Sequence, residues 1–338
     1  MRRPDFERNT LVALRGGVPQ RASLFELFLN ESFYMRLAGW EIRPADETAY
    51  LRLVEEAMAN AGYDYATTQA SGFHFDLKSH DRRKTISLND VPMITDWASF
   101  ERYQWNDPAD FDCAKLTKAR EFLPEGMKLM VMGPGGVLEN TISLTGYDNL
   151  CVMLYEEPEL VREITSKVGA ALVKYYELVA EIDTVGFLCS NDDWGFNTQT
   201  FLSPADMRKY IFDWHRKIVE VAHRAGKPCI LHSCGYFDEV IEDVIEDMKF
   251  DARHSYEDNI CPVEEAYERL NGRIAVLGGI DMNFMVSEAP EQIYARATGM
   301  LERARTRGGY LLGTGNSVPE YIPFDNYSAL LRAATEFR

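Results

Sequence analysis

The sequence has no long hydrophobic run. No apolar stretch approaches the ~20 residues that a bilayer-spanning helix needs, so no membrane-spanning segment is expected. It also lacks a basic surplus: 36 Lys and Arg stand against 53 Asp and Glu, giving a formal charge of −17. A chain this acidic repels phosphate backbones, which argues against nucleic acid and anionic membrane surfaces as partners. Cysteine is sparse, with six in 338 residues. The opening Met1-Arg2-Arg3-Pro4-Asp5-Phe6-Glu7 soon turns acidic and has no apolar core, so it does not read as a signal peptide. The cysteines are therefore expected as reduced thiols in a cytoplasmic protein. There is no low-complexity stretch, no Pro/Gly/Ser linker and no strong repeat, so nothing divides residues 1–338 into two domains.

What is present is an alternation. Eight short apolar runs, rich in β-branched residues and ending in Gly, Asn or Asp, are separated by segments of helical period. The runs are Ser23–Phe28, Tyr63–Ala70, Lys128–Gly133, Thr184–Ser190, Pro228–Cys234, Phe250–Tyr256, Arg273–Ile280 and Gly309–Thr314. Ser203-Pro204 supplies an N-cap and a first-turn proline. The stripe Met207, Tyr210, Ile211, Trp214, Ile218 and Val221 then predicts one helix, which Gly226 stops. Further helices are expected from Pro158 to about Glu181, over Ala289–Arg307 and over Asp325–Phe337. Alternating strands and helices imply a parallel sheet, and eight repeats fit a closed (β/α)8 TIM barrel of one domain. An open doubly wound sheet would favour a Gly-rich first turn, which Phe25-Glu26-Leu27-Phe28-Leu29-Asn30 does not provide. The irregular interval at about 71–123, with its many aromatic side chains, reads as an insertion capping the barrel mouth.

Barrel chemistry sits at the C-terminal ends of the strands. The fifth run ends Leu231-His232-Ser233-Cys234-Gly235. Residues two apart on a strand face one side, so His232 and Cys234 can reach one point, and imidazole plus thiolate suits zinc. The plain alternative is a buried cysteine beside a hydrogen-bonded histidine. Zinc needs a third protein ligand. Glu139, after Gly133-Pro134-Gly135-Gly136, is the first choice, and Asp281, ending the seventh run, is the alternative. The fourth run leads into Asn191-Asp192-Asp193-Trp194. Strand parity lets only one of the two aspartates face inward, and Asp193 is favoured. Asp193 and His254 are the candidate catalytic groups, and Asn30, Asn191, Asn316 and Tyr256 the candidate substrate-binding groups.

The chain resembles the uroporphyrinogen decarboxylase superfamily, which includes corrinoid and coenzyme M methyltransferases. The resemblance rests on Leu202-Ser203-Pro204, Gly226-Lys227-Pro228 into Leu231-His232-Ser233-Cys234-Gly235, Leu277-Gly278-Gly279-Ile280-Asp281, and Gly308-Gly309-Tyr310 with Gly313-Thr314-Gly315. It implies a (β/α)8 barrel. The decarboxylase branch implies an arginine-rich segment after the first strand and an aspartate after the second. Here stand Glu26-Leu27-Phe28-Leu29-Asn30-Glu31 and Ala66-Thr67-Thr68-Gln69-Ala70, so arginines would have to come from Arg82, Arg83 or Lys84 in the insertion. The methyltransferase branch implies zinc on H-x-C plus a later cysteine, and that later position holds Asn316. The resemblance therefore favours a zinc-dependent methyltransferase acting with a corrinoid protein or on a methylated or methoxylated small molecule. Decarboxylation of uroporphyrinogen or another acid is the alternative, and a non-catalytic binding barrel the third. The sequence leaves a homodimer open.

Overall fold

In a computed structural model, residues 2–77 and 92–337 are described. Seven strands pair in chain order, every neighbour parallel: β1 (Tyr65–Gln69), β2 (Lys128–Met132), β3 (Val185–Asn191), β4 (Cys229–His232), β5 (Ala252–His254), β6 (Ala275–Leu277) and β7 (Tyr310–Leu311). Each lies within one of the expected runs or overhangs it by one residue. Helices cover the outer face, so both faces of the sheet are buried. Continuous apolar runs such as Leu129-Met130-Val131 and Cys229-Ile230-Leu231 follow from that. The architecture is an α/β, TIM-barrel-like fold.

The first expected strand, Ser23–Phe28, forms no ladder of its own. It makes isolated parallel bridges, Leu24 to Leu312 and Leu29 to Val318. The Phe25 amide donates to the Leu312 carbonyl at 2.8 Å, and the Leu312 amide donates to Ser23 at 2.9 Å. On the other flank the Glu26 amide contacts no β1 backbone but the Tyr65 hydroxyl, at 2.8 Å. A side chain standing in for a backbone ladder is why regular pairing fails there.

The helix Pro158–Ala180 begins at the expected proline, and Pro290–Ala304 and Phe324–Glu336 match their periodic stripes. The stripe from Met207 to Val221 is two helices, Pro204–Tyr210 and Phe212–Arg224. Ile211, at φ −114° and ψ −52°, breaks the ladder, yet it keeps the apolar residues on one side, so periodicity alone could not reveal the joint. In the 71–123 interval, Phe73, Phe75, Trp105 and Phe111 form edge-to-face pairs 5.3–6.3 Å apart. Arg82, Arg83 and Lys84 lie outside the described residues.

Candidate metal centre

Strand register assembles the site. Asn191 of β3 is the Cα partner of His232 in β4, which is the partner of His254 in β5. These three side chains form a row across the C-terminal end of the sheet. Two residues further, at the same parity, come Asp193 and Cys234. The Cys234 amide donates to Asp193 Oδ1 at 2.9 Å, which ties the two strand ends together. Gly235 then turns the chain at φ +86°, and a Cβ there would meet the Gly195 carbonyl oxygen at 2.0 Å. Only glycine permits this close approach.

Among the described residues, one group of metal-ligating side chains converges: Asp193, His232 and Cys234, with ligand atoms within 4.8 Å of one another. Cys234 Sγ lies 3.7 Å from His232 Nε2, and His232 Nε2 lies 4.0 Å from Asp193 Oδ1. Bonds of about 2.3 Å to sulfur and about 2.0–2.1 Å to nitrogen or oxygen imply tetrahedral ligand edges of roughly 3.4–3.6 Å. All three pairs are wider than these edges or bounded only at 4.8 Å, so zinc would draw the ligand atoms together, by up to about an ångström for the furthest pair.

The hydrogen bonds decide which imidazole nitrogen is free. The Thr314 carbonyl can only accept, so His254 Nε2, 3.0 Å away, carries the proton. Burial holds His254 well below its usual pKa, so the ring is neutral and its Nδ1 accepts. His232 Nδ1 then donates across 2.8 Å to His254 Nδ1. His232, pushed down to about 3 chiefly by burial, is neutral too, and its Nε2 lone pair faces Cys234 and Asp193. A ligating histidine whose other nitrogen is held by a hydrogen bond is the arrangement metal sites use.

The chain of support goes further. Glu26, 0% exposed, contacts Thr314 Oγ1 through Oε2 at 2.6 Å and accepts the Thr314 amide through Oε1 at 3.0 Å. The Thr314 hydroxyl has one proton, and it also lies 2.6 Å from the acceptor-only Asn316 carbonyl. Both contacts are hydrogen bonds if Glu26 is protonated and donates to Thr314. Burial agrees, pushing the Glu26 carboxyl up to about 8. What marked it was an acid inside an otherwise apolar run.

Asn316 stands beside the cluster. Its Nδ2 donates to Cys234 Sγ at 3.2 Å, and its Oδ1 accepts the Ser317 amide at 2.8 Å. Burial, then the nearby Asp193, pushes the Cys234 thiol far up, so without a metal it keeps its proton. Burial raises Asp193 as well.

Glu139 turns back on its own helix, Val137–Thr145, where Oε2 accepts the Gly136 amide at 2.9 Å. Burial and the charges of Asp192 and Asp193 raise its pKa. It is close to the cluster but outside the converging three. Asp281 caps Met282–Ser287, accepting from Asn283 and Phe284 and, through its other oxygen, from Asp258. Asn30 caps Glu31–Ala38, and its amide donates to the Pro319 carbonyl, so its side chain is fully committed. Asn191 Oδ1 and the Tyr256 hydroxyl are buried without partners. Asp192 faces the helices, as parity requires. It accepts from the Leu138 and Glu139 amides and from His215 Nε2, each at 2.9 Å. Gly136 leaves room for it, since a Cβ there would meet Asp192 at 2.1 Å. Trp194 packs back onto Phe212 and His215.

The sequence model of the uroporphyrinogen decarboxylase (URO-D) family matches residues 69–337. The uroporphyrinogen decarboxylase of Anaeromyxobacter sp. (strain Fw109-5) is 25% identical over 194 residues, 57% of this chain and 52% of that protein. That of Methylococcus capsulatus (strain ATCC 33009 / NCIMB 11132 / Bath) is 26% identical over 187 residues, 55% of this chain and 51% of that protein. The chain thus spans about half the length of the curated relatives it matches. A methyltransferase from Methanosarcina mazei superposes with a TM-score of 0.69 over 97% of both chains at 17% identity, a likeness of fold. With its parallel β/α architecture and a family match covering most of its length, the chain belongs to the uroporphyrinogen decarboxylase family.

Proposed function

We propose that this protein is a zinc-dependent methyltransferase, acting on a methylated or methoxylated small molecule with a corrinoid protein as partner. The observation that carries the reading is the convergence of Asp193, His232 and Cys234 with the His232 Nε2 lone pair turned toward the other two. The segment from Ser23 to Leu29 takes the place of an eighth strand beside β7, through isolated bridges. Six free cysteines fit work in the reducing cytoplasm. The fold likeness to the Methanosarcina mazei methyltransferase supports the same branch.

His232, Cys234 and Asp193 would hold the metal. Bound there, zinc would act as a Lewis acid that polarises the atom leaving or receiving the methyl group. In the resembled branch a later cysteine is the third ligand. Here Asp193 provides that negative charge, so one imidazole, one thiolate and one carboxylate still balance a dication. Asn316 places an N–H on the Cys234 sulfur and stabilises its thiolate form. Cys234 would hold the metal as its thiolate, because only the thiolate ligates. Asn191 and Tyr256, with unsatisfied polar atoms, orient the substrate.

Decarboxylation is the second reading, favoured by the names of the curated relatives. The strand ends weigh against it. Asp193 stands at the mouth, and neither the segment after Ser23–Phe28 nor that after β1 offers the arginine or aspartate this chemistry implies in the family.

Metal content tests the proposal. Protein grown with zinc should carry about one equivalent, and His232→Ala or Cys234→Ala should carry less than about a tenth. Equal metal in wild type and variants would overturn it, and carbon dioxide release from uroporphyrinogen at an enzymatic rate would replace it with the second reading.

A further inference from the structure

The C-terminal end of β1 opens on a cleft of about 300 Å³. Small-molecule sites occupy about 300–1,000 Å³. Thr67, Thr68 and Gln69 of β1 line it, with Tyr50, Leu51 and Val54 from the first turns of the helix Glu47–Ala61. Lys115, from the aromatic-rich 71–123 interval, lines it too. Barrel enzymes gather their ligands at this end of the strands. The metal row runs over β3, β4 and β5, so the cleft on β1 lies apart from it.

Each charge in the lining already has a partner. Arg43 Nε lies 2.5 Å from Glu31 Oε2, and Lys115 Nζ lies 3.3 Å from Glu47 Oε2. Asp46 accepts the Ala49 amide at 2.8 Å as the helix cap. With Glu31 counted, three carboxylates stand against two cations, an environment that repels an anion. The groups left unpaired are uncharged. Thr67 is 7% exposed, and its Oγ1 is buried without a partner. An unpaired buried hydroxyl is costly, so in the wall of a cleft it marks a place for a ligand atom. Among the described residues, neither the Tyr50 hydroxyl nor the Gln69 carboxamide makes a hydrogen bond, whereas the Thr68 hydroxyl is used locally, donating to the Gln69 carbonyl at 3.0 Å. A hydroxyl and a carboxamide both donate and accept. Leu51 and Val54 add an apolar floor.

We propose that this cleft binds an uncharged, hydroxyl-rich small molecule such as a monosaccharide. Thr67, Tyr50 and Gln69 exchange hydrogen bonds with its hydroxyls, and its C–H face lies on Leu51 and Val54. The assignment does not rest on a metal at Asp193, His232 and Cys234.

Saturation-transfer NMR titration of the full chain tests it, with D-glucose as the neutral probe and D-glucuronate as the anion of the same ring. Glucose should bind at least about fivefold tighter than glucuronate. Thr67→Val removes the buried hydroxyl at nearly constant volume and should weaken glucose binding severalfold. Tyr50→Phe and Gln69→Ala should each do the same. Should Thr67→Val fail to fold, the other two variants, at half-buried and exposed positions, decide. No saturation transfer to glucose at about 20 mM, glucuronate binding as tightly as glucose, or unchanged affinity in both Tyr50→Phe and Gln69→Ala would each overturn the site. His232→Ala should leave glucose binding unchanged. Loss of binding in that variant would put the sugar at the metal row and overturn the cleft.

Discussion

His232 is the residue on which the others converge, and its role follows from proton counting. A carbonyl that can only accept fixes the His254 tautomer, and His254 fixes His232. His254→Ala should therefore weaken zinc binding about 10–100-fold without removing a ligand, as measured by competition with a chelator. Unchanged affinity would show that the ring is oriented by packing alone. Glu26 allows a test through pH. Its folded pKa of about 8 lies above the ordinary carboxylate value of 4.5, so the folded protein holds a proton that the unfolded chain has released. Its contribution to stability is whole below about pH 4.5 and is lost as pH rises toward about 8. Glu26→Gln keeps the donor pattern of the protonated acid. Between pH 5 and pH 8 it should gain a few kcal/mol over wild type in urea denaturation. A constant difference across that range would place an ionised Glu26 in the core.

Among the elements, the turn from β2 into the helix Val137–Thr145 is held from a neighbouring strand. Asp192, reaching from the end of β3, satisfies two amides of that helix's first turn and the buried His215. Asp192→Ala would leave all three donors buried and unpaired. It should cost about 3–5 kcal/mol in equilibrium unfolding, well beyond the ~1 kcal/mol of an exposed cap. The sequence made the parity of Asp192 and Asp193 legible, because period two admits only one inward acid. It also made His232 and Cys234 legible as one face of a strand. It did not reveal that Asp193 joins them, since strand-to-strand register sets that meeting and no local spacing records it. Glu139 illustrates the converse. Its place after a Gly-rich turn looked like a mouth position, but three residues into a helix a glutamate has a partner in the cap amide.

For the whole molecule, the alternation of apolar runs and helical stripes was enough to place seven parallel strands and most of the helices between them. The exceptions were the edge at Ser23–Phe28, where the Tyr65 hydroxyl takes the place of backbone pairing, and the break at Ile211. The family match agrees with this architecture. The proposed site has one imidazole, one thiolate and one carboxylate sharing a zinc ion. X-ray absorption at the zinc edge measures this directly. The expected result is one sulfur at about 2.3 Å and nitrogen or oxygen neighbours at about 2.0–2.1 Å, with the sulfur shell lost in Cys234→Ser. Two or more sulfur neighbours, or a first shell unchanged by Asp193→Ala, would contradict it.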